Sequence, residues 1–206
     1  MARKYSMDKR TAAVDETRRR IVEATRQMHN EKGILATTMH DIAARADVAL
    51  GTVYRHFPSL DELVPACGAL NLQLNPLPTS ALFAGAASAT ERLGLLVRAL
   101  FANYERGERQ YTVGYSERDN IPVLRRFMDE GATYVATLVR QAIEPAQPSE
   151  EAMRLAVALS DFRSWQALTQ SGFTSEAAAN QVVELIERKL AEPLSGAGRG
   201  DSPAAT

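Results

Sequence analysis

Cysteine, tryptophan and histidine are scarce in this chain of 206 residues, which contains one Cys, one Trp and three His. The single cysteine, Cys67, excludes an intrachain disulfide and a thiolate metal cluster, and we interpret it as a small buried apolar residue. The three histidines, His29, His40 and His56, all lie near the start of the chain. The rest of the chain therefore lacks the imidazole and thiol ligands of a metal-sensing site, and we expect no bound metal.

Long apolar runs and enzyme motifs are also absent. The first residues, MARKYSMDKRTAAVDETRRR, lack the apolar core of a signal peptide, and no later segment approaches a membrane span in length. The chain has no HExxH, nucleophile elbow, phosphate loop or dinucleotide fingerprint. We therefore expect a cytoplasmic protein that contacts no membrane, needs no cofactor, has no catalytic residue and is not an enzyme.

The net charge of −1 conceals an uneven distribution of charge. Residues 1–60 hold 11 Lys or Arg against 7 Asp or Glu, a balance of +4, whereas residues 61–206 hold 13 against 18, a balance of −5. A locally basic segment is typical of a protein whose partner is negatively charged, such as nucleic acid. The charge pattern therefore favours a nucleic-acid-binding motif in the first 60 residues.

Residues 38–57, TMHDIAARADVALGTVYRHF, have the pattern of a helix-turn-helix. Thr38 and Asp41 form a start like a capping box, and apolar residues follow at helical spacing. Asp47 interrupts the helix with a residue type that tolerates the left-handed backbone of a tight turn. We predict a second short helix over about residues 49–56, with Val53 and Phe57 on its buried side.

The opposite face of that second helix carries small and hydrogen-bonding residues: Gly51, Thr52, Tyr54, Arg55 and His56. No acidic residue lies between Val48 and Leu60. Glycine lets the backbone approach a base edge or a phosphate, and hydroxyl, guanidinium and imidazole groups can donate to either. This face suits a polyanion, while Tyr54 and His56 are also ordinary residues for the surface of a helical bundle.

The remaining pattern is helical, so the predicted fold class is all-α. Helices are expected over about residues 15–32, 60–74, 91–106, 123–143, 150–170 and 175–192, with a less regular segment at 108–120. Residues 75–90 are predicted to be a loop with a short helix around 81–87. Residues 1–13 are predicted to form a disordered basic arm that either follows phosphates or is only solvated, and residues 193–206 are predicted to form a disordered tail. Arg18, Arg19 and Arg20 would either meet phosphates or form a solvated face with Glu16 paired to Arg20.

Residues 15–64 resemble the DNA-binding region of the TetR family of bacterial transcriptional regulators. The resemblance rests on Lys32-Gly33, Thr37-Thr38, Asp41-Ile42-Ala43, Val48, the run Gly51-Thr52-Val53-Tyr54-Arg55-His56-Phe57, and Leu63. It implies a three-helix DNA-binding domain over residues 14–58 and a helical ligand-binding and dimerisation domain over residues 59–192. The positions that meet bases or nearby phosphates in the family are occupied here by His40, Leu50, Gly51, Thr52 and Arg55, and the usual phosphate contacts by Thr38, Tyr54 and His56.

Four positions depart from the family pattern. Asp47 stands where Gly is usual, Ala49 where Ser is usual, and Leu50 and Leu60 where Lys is frequent. A missing serine removes a helix cap that typically contributes about 1 kcal/mol. We therefore expect weaker anchoring to phosphates and a DNA contact that depends on the basic arm, Tyr54 and His56.

The resemblance also implies a cavity for a small molecule in the helical body. The four segments that enclose it in the family contribute here Phe101, Tyr104, Tyr111, Tyr115, Phe127, Met128, Phe162 and Trp165. Aromatic walls with a few hydroxyls suit a flat or apolar ligand. Aromatic residues at helical spacing are nevertheless more often ordinary core.

These observations predict a homodimeric transcriptional repressor that binds a pseudo-palindromic double-stranded DNA operator and is released by an apolar or aromatic small-molecule effector. The resemblance implies that the dimer forms through the last two helices, whose apolar surface exceeds one core-facing stripe. The alternative is a helical adaptor whose C-terminal body binds a protein partner and takes no small molecule. An enclosed cavity would favour the repressor, and a packed core with an exposed apolar patch would favour the adaptor.

Overall fold

A computed structural model describes residues 2–192 of the chain, with side chains from residue 11 onward. All regular secondary structure in this range is helical, which confirms the predicted all-α class. The α-helices are α1 (Ala2–Lys32), α2 (Met39–Ala46), α3 (Leu50–His56), α4 (Leu60–Leu74), α5 (Ala89–Arg106), α6 (Glu108–Glu117), α7 (Pro122–Ile143), α8 (Glu150–Leu159), α9 (Phe162–Gln170) and α10 (Ser175–Leu190). Short 3-10 turns cover Ser80–Phe83, Arg118–Asn120 and Glu144–Ala146. None of the described helices has the length and apolar character needed to cross a membrane.

The described chain divides into two structural units. The first contains the residues up to Thr79 together with Ala99–Ala136, and the second contains Ser80–Arg98 and the residues from Thr137 onward. The first unit therefore holds α1 to α4 and α6 entirely, and the second holds α8, α9 and α10. Helices α5 and α7 each contribute residues to both units.

The N-terminal helices of the first unit share one apolar core. Its most deeply buried members are Ile21, Ile42, Val53, Phe57 and Leu63, each at most 1% exposed. Burying a side chain of this size is worth roughly 1.5–3 kcal/mol relative to leaving it in water. The predicted buried side of the second short helix, Val53 and Phe57, is therefore confirmed.

The second unit packs α8, α9 and α10 around small and branched side chains. Ala156 of α8, together with Ala178 and Ala179 of α10, is completely buried, and Val182 and Ile186 continue the same side of α10. Alanines let helix backbones approach closely, while the branched residues fill the space between them. Lys189 makes two ion pairs in this unit, with its Nζ atom 3.2 Å from Glu151 and 2.6 Å from Glu192.

Helix α1 begins earlier than the sequence analysis predicted. The structure has residues 2–13 as helix, where the basic composition predicted a disordered arm. The physical reason is visible in the sequence, because no Gly or Pro occurs before Gly33 and the segment is rich in Ala, Lys, Arg and Met, which favour helix. The predicted end at Lys32 is confirmed, and Gly33 follows it with a φ of 90°. The predicted tail, residues 193–206, lies outside the described residues.

Two further predictions about helices were wrong in detail. Residues 108–120 form α6 and a 3-10 turn, with Gly114 inside α6 and facing Met128. The helix expected over 150–170 is two helices, since the Asp161 carboxylate accepts from the Arg163 backbone N–H at 2.9 Å and starts α9 afresh. Ser59 precedes α4, and its side chain makes no capping hydrogen bond.

A buried histidine joins α1 to α4. The Nδ1 atom of His29 lies 3.8 Å from the Sγ atom of Cys67, and Nε2 has no hydrogen-bond partner among the described residues. Burial lowers the pKa of His29 to about 4 and raises the pKa of Cys67 to about 12. The pair is therefore neutral at physiological pH, in agreement with the interpretation of Cys67 as a buried apolar residue.

This burial predicts a stability that depends on pH. The unfolded chain protonates His29 below its ordinary pKa of 6.5, whereas the folded chain does so only near 4. The contribution to stability is therefore fully present above pH 6.5 and falls with pH towards 4, by about 1.4 kcal/mol per pH unit. Glutamine carries no charge at either pH. We therefore expect the free energy of unfolding of His29→Gln, measured with urea, to fall between pH 7 and pH 5 by about 2 kcal/mol less than that of the natural chain.

His40→Gln serves as the matched control, because His40 is exposed on α2. It should keep the pH dependence of the natural chain. Parallel curves for the natural chain and His29→Gln would contradict a buried neutral histidine at this position.

Helix α3 begins without a side-chain cap. Ala49 occupies the cap position with φ −66° and ψ 144°, and its carbonyl accepts from the Thr52 N–H at 2.8 Å. The alanine side chain has no oxygen that could accept from the free N–H groups of the first turn, as expected from the alanine at a position where serine is usual.

We expect Ala49→Ser to stabilise the chain by about 1 kcal/mol, because its hydroxyl can accept one of those N–H groups in the backbone geometry already present. Ala44→Ser is the control, since Ala44 is exposed in the interior of α2 and serine there lowers helix propensity slightly. Thermal unfolding of both variants checks the expectation. Equal or lower stability of Ala49→Ser relative to the natural chain would show that the position does not act as a helix cap.

Candidate DNA-binding surface and aromatic cluster

A reciprocal cap fixes the start of α2. Thr38 Oγ1 accepts from the Asp41 N–H at 3.2 Å, and Asp41 Oδ2 accepts from the Thr38 N–H at 2.9 Å, which confirms the predicted capping box. Lys32 Nζ lies 2.7 Å from the same carboxylate, and the hydrogen bonds from Lys32 and then Thr38 hold the pKa of Asp41 well below its usual range. The Thr38 hydroxyl also donates to Asp41 at 2.6 Å. A phosphate contact by Thr38 would therefore compete with Asp41 for the hydroxyl proton.

The turn between α2 and α3 has the left-handed residue that the sequence predicted. Asp47 has a φ of 52° and a ψ of 55°, and the Val48 N–H returns to the Ala43 carbonyl at 3.1 Å. Arg20 of α1 donates to the carbonyl of Ala46 and, at 2.9 Å, to that of Asp47. These carbonyls lie at the end of α2 and lack partners within the helix, so the guanidinium holds the corner closed.

Arg20 was missed as a structural residue by the sequence analysis. It lies 26 residues before Ala46, so no local spacing indicates the contact. The other two arginines of the group are also engaged, because Arg19 pairs with Glu16 at 2.7 Å and the Arg18 guanidinium lies 4.5 Å from the centre of the Phe57 ring. The expected pairing of Glu16 with Arg20 is therefore replaced by a pairing with Arg19.

The outer side of α3 is exposed. Gly51, Tyr54 and Arg55 are exposed at positions that share one helix face, and Leu50 beside them is 39% exposed. Thr52 and His56 are half-buried at its margin, and His40 is exposed on α2. Nothing lies within 4 Å of the position that a Cβ atom of Gly51 would occupy. The helix thus presents a backbone that a flat partner can approach, with a guanidinium and a phenol beside it.

The aromatic residues predicted to line a cavity are divided between the two structural units. The first unit holds Phe101, Tyr104, Tyr111, Tyr115, Phe127 and Met128, and the second holds Phe162 and Trp165. In the first unit the rings of Phe101 and Tyr104 lie 6.1 Å apart, and Tyr104 meets Tyr111 edge to face at 5.1 Å. In the second unit Phe162 and Trp165 lie 5.4 Å apart, and Trp165 Nε1 donates to Ser175 Oγ at 3.0 Å.

Burial separates these residues into two kinds. Phe101, Tyr104, Phe162 and Trp165 are at most 3% exposed, whereas Tyr111, Tyr115, Phe127 and Met128 are half-buried. The Phe127 ring lies directly on Gly68 of α4, where a Cβ atom would collide with it, and the Met128 sulfur lies 3.1 Å from the place of a Cβ atom on Gly114. The half-buried group therefore has side chains that a ligand could reach with the least disturbance of the core.

A buried polar network adjoins the aromatic residues of the first unit and was not predicted. Asn103 is completely buried, and its amide donates to the carbonyl of Asn75 at 3.2 Å and to that of Pro76 at 2.8 Å. The Tyr111 hydroxyl donates to Asn103 Oδ1 at 2.7 Å, and burial raises the pKa of Tyr111 to about 12. A network of this kind orients the Tyr111 ring, because a buried amide is costly to leave unpaired. Sequence alone gives no signal for it, since Asn75 and Asn103 lie 28 residues apart.

Comparison with known proteins agrees with this geometry. Residues 21–67 match the family model described as bacterial regulatory proteins, tetR family. The chain is 28% identical over 176 residues to the HTH-type transcriptional repressor KstR of Mycobacterium tuberculosis (strain ATCC 25618 / H37Rv), which covers 84% of this chain and 78% of the relative. Such relatives regulate transcription and are not enzymes, in agreement with the prediction that the chain is not an enzyme.

The chain is also similar in fold to solved structures over most of its length. A TetR-like transcriptional regulator from Rhodococcus sp. RHA1 is similar with a TM-score of 0.66 at 18% identity, covering 86% of this chain and 97% of that one. Multidrug binding protein EbrR, solved in complex with malachite green, is similar with a TM-score of 0.57 at 26% identity, covering 83% of this chain and 96% of that one. The family match, the repressor relatives and the shared fold lead to one conclusion: this chain belongs to the TetR family of bacterial transcriptional regulators.

Proposed function

We propose that the chain is a transcriptional repressor whose α3 enters the major groove of a DNA operator. The observation that carries this proposal is the orientation of α3, with Val53 completely buried and Tyr54 and Arg55 exposed. A short helix held in this way can place its outer side chains against base edges while its neighbours meet the backbone. The similarity to KstR, which is named as a repressor, supports repression over activation.

The residues divide into base-reading and phosphate-binding groups. His40, Leu50, Gly51, Thr52 and Arg55 meet base edges or nearby phosphates, and Thr38, Tyr54 and His56 bind phosphates. The exposure of Arg55 beside the open backbone at Gly51 supports base reading, because a guanidinium can donate twice to a guanine edge. The half-buried position of His56 supports a phosphate contact at the margin of the surface.

A homodimer would present two such helices to one operator. Three large apolar side chains on α8, α10 and the turn before α10 are exposed, with Leu155 at 36%, Phe173 at 41% and Leu185 at 50%. A second copy that covers them through the last helices would remove this surface from water. The two copies of α3 would then lie about 34–36 Å apart, one turn of duplex. Residues 14–58 would serve as the DNA-binding domain and residues 59–192 as the domain that dimerises and binds the effector.

A flat apolar or aromatic molecule is the proposed effector. The half-buried side chains Tyr111, Tyr115, Phe127 and Met128 offer it ring faces, a thioether and hydroxyls, with the buried rings of Phe101 and Tyr104 beside Tyr111. The complex of EbrR with malachite green supports this class of ligand. Effector binding would favour a state of the dimer in which the two DNA-binding domains no longer fit successive grooves. The free energy available for this change is the difference between the effector's binding free energies for the two states. A helical adaptor without a ligand is not favoured by these relatives.

Base reading and phosphate binding can be separated by mutation. Arg55→Ala should cost about 1–3 kcal/mol on the preferred operator and change the preferred bases. Tyr54→Phe and His56→Ala should weaken binding to every sequence alike, because phosphates carry no sequence information. Titration of the purified variants against a randomised operator library measures both effects, with the exposed Tyr134→Phe outside this surface as the control. An equal loss of affinity for every sequence in the library in Arg55→Ala would show that Arg55 does not read bases.

The effector proposal is tested with malachite green as the probe. We expect Phe127→Ala to weaken binding of the dye about tenfold, which corresponds to about 1.4 kcal/mol, because an aromatic ring contact is lost. Phe83→Ala is the matched control, since Phe83 is also half-buried but lies in the Ser80–Phe83 turn outside the proposed cluster, and it should change the affinity less than twofold. Absorbance titration of the dye gives both affinities. Equal losses in the two variants would mean that the dye does not bind at the cluster.

A further inference from the structure

Helix α6 is attached to the DNA-binding helices by a carboxylate. Glu117, at the last position of α6, accepts from the backbone N–H groups of Ile34 at 2.8 Å and Leu35 at 2.9 Å. Both N–H groups belong to the segment between α1 and α2, immediately after Gly33. Gly33 makes room for this contact, because a Cβ atom there would collide with Glu117 Oε1. Hydrogen bonds from N–H groups to an ionised carboxylate are roughly twice as strong as neutral ones.

An arginine makes the opposite kind of contact at the start of α6. Arg109 Nε donates to the Asn30 carbonyl at 2.6 Å, and its Nη2 donates to the Glu31 carbonyl at 3.3 Å. These carbonyls lie in the last turn of α1, where they have no partner within the helix and where the helix dipole is negative. The positive side chain therefore meets the negative end of α1, and the negative side chain meets the free N–H groups just beyond it.

The two contacts lie on one side of α6 with an apolar contact between them. Arg109, Val113 and Glu117 are spaced four residues apart, so they share one face over about 12 Å of helix. Val113 is buried in one cluster with Ile34, which follows Gly33. The face has a cation, an apolar residue and an anion, and each has its complement on the end of α1 or on the segment that leads to α2.

The same helix carries candidate effector residues on another side. Tyr111 meets Tyr104 edge to face and donates to the buried Asn103, while Tyr115 lies one turn further along. Helix α6 therefore carries the aromatic residues and the two polar contacts on different sides.

We propose that Arg109 and Glu117 form a latch that fixes the orientation of the DNA-binding helices, which makes these two residues positioning residues for operator binding. The proposal rests on the proposed function, because it requires a dimer that reads two half-sites. With the latch closed, the dimer accepts a narrow range of half-site spacings. Without the latch, each DNA-binding domain is held by fewer contacts, so the dimer can bind half-sites over a wider range of spacings.

The test uses the full chain and an operator that the natural protein selects from randomised duplex DNA. Operators with up to two base pairs inserted or removed between the half-sites are then titrated with the natural chain, Glu117→Gln, Glu117→Ala and Arg109→Met. We expect the natural chain to lose at least tenfold in affinity per base pair of altered spacing. In Glu117→Ala and Arg109→Met this loss should shrink to about twofold. Glu117→Gln should lie in between, because its neutral oxygen can still accept from both N–H groups but binds them more weakly than a carboxylate does.

Glu108→Gln is the matched control, since it removes the same charge from an exposed position of α6 and should leave the spacing profile unchanged. Melting temperatures identify variants that fail to fold, and hydrogen exchange of the Ile34 and Leu35 amides, expected to be faster in Glu117→Ala, reports directly on the latch. An unchanged spacing profile in folded Glu117→Ala and Arg109→Met would overturn the latch. Failure of the natural chain to select any duplex would overturn the proposed function, and the latch with it.

Discussion

The burial of Val53 and Phe57 fixes the orientation of the surface that is proposed to bind DNA. Both side chains are completely buried in a core shared with Ile21, Ile42 and Leu63. A helix of 7 residues has too few backbone hydrogen bonds to be stable alone, so this packing is what keeps α3 helical and fixes its rotation about its own axis. Once Val53 points inward, Gly51, Tyr54 and Arg55 must point outward.

Polar contacts then hold the corner in place. The cap at Thr38 and Asp41 starts α2, and Arg20 binds the carbonyls at its end. The left-handed backbone at Asp47 is tolerated by an aspartate, and the exposed side chain costs no buried charge. Each contact lies outside the surface proposed to meet DNA, except for that of Thr38. Residues on the outer face of α3 can therefore be substituted without loss of the contacts that hold the corner.

Much of this arrangement was predictable because it is local in sequence. Thr38 and Asp41 are three residues apart, and the buried and exposed sides of α3 follow from helical periodicity over eight residues. The contacts that link distant segments could not be predicted in this way. Arg20 to Asp47, Asn75 to Asn103 and Glu117 to Ile34 each join residues that only the folded chain brings together. The break between α8 and α9 was also missed, because an aspartate inside an apolar periodicity is compatible with one helix or two.

Two outward-facing α3 helices of a homodimer are proposed to bind successive major grooves of one duplex, and hydroxyl-radical footprinting of a selected operator shows whether they do so. Two protected patches are expected on one face of the duplex, with centres separated by about 10 base pairs. The same patches are expected to disappear when an effector is bound. A single protected patch, or uniform weak protection along the fragment, would rule out this mode of binding.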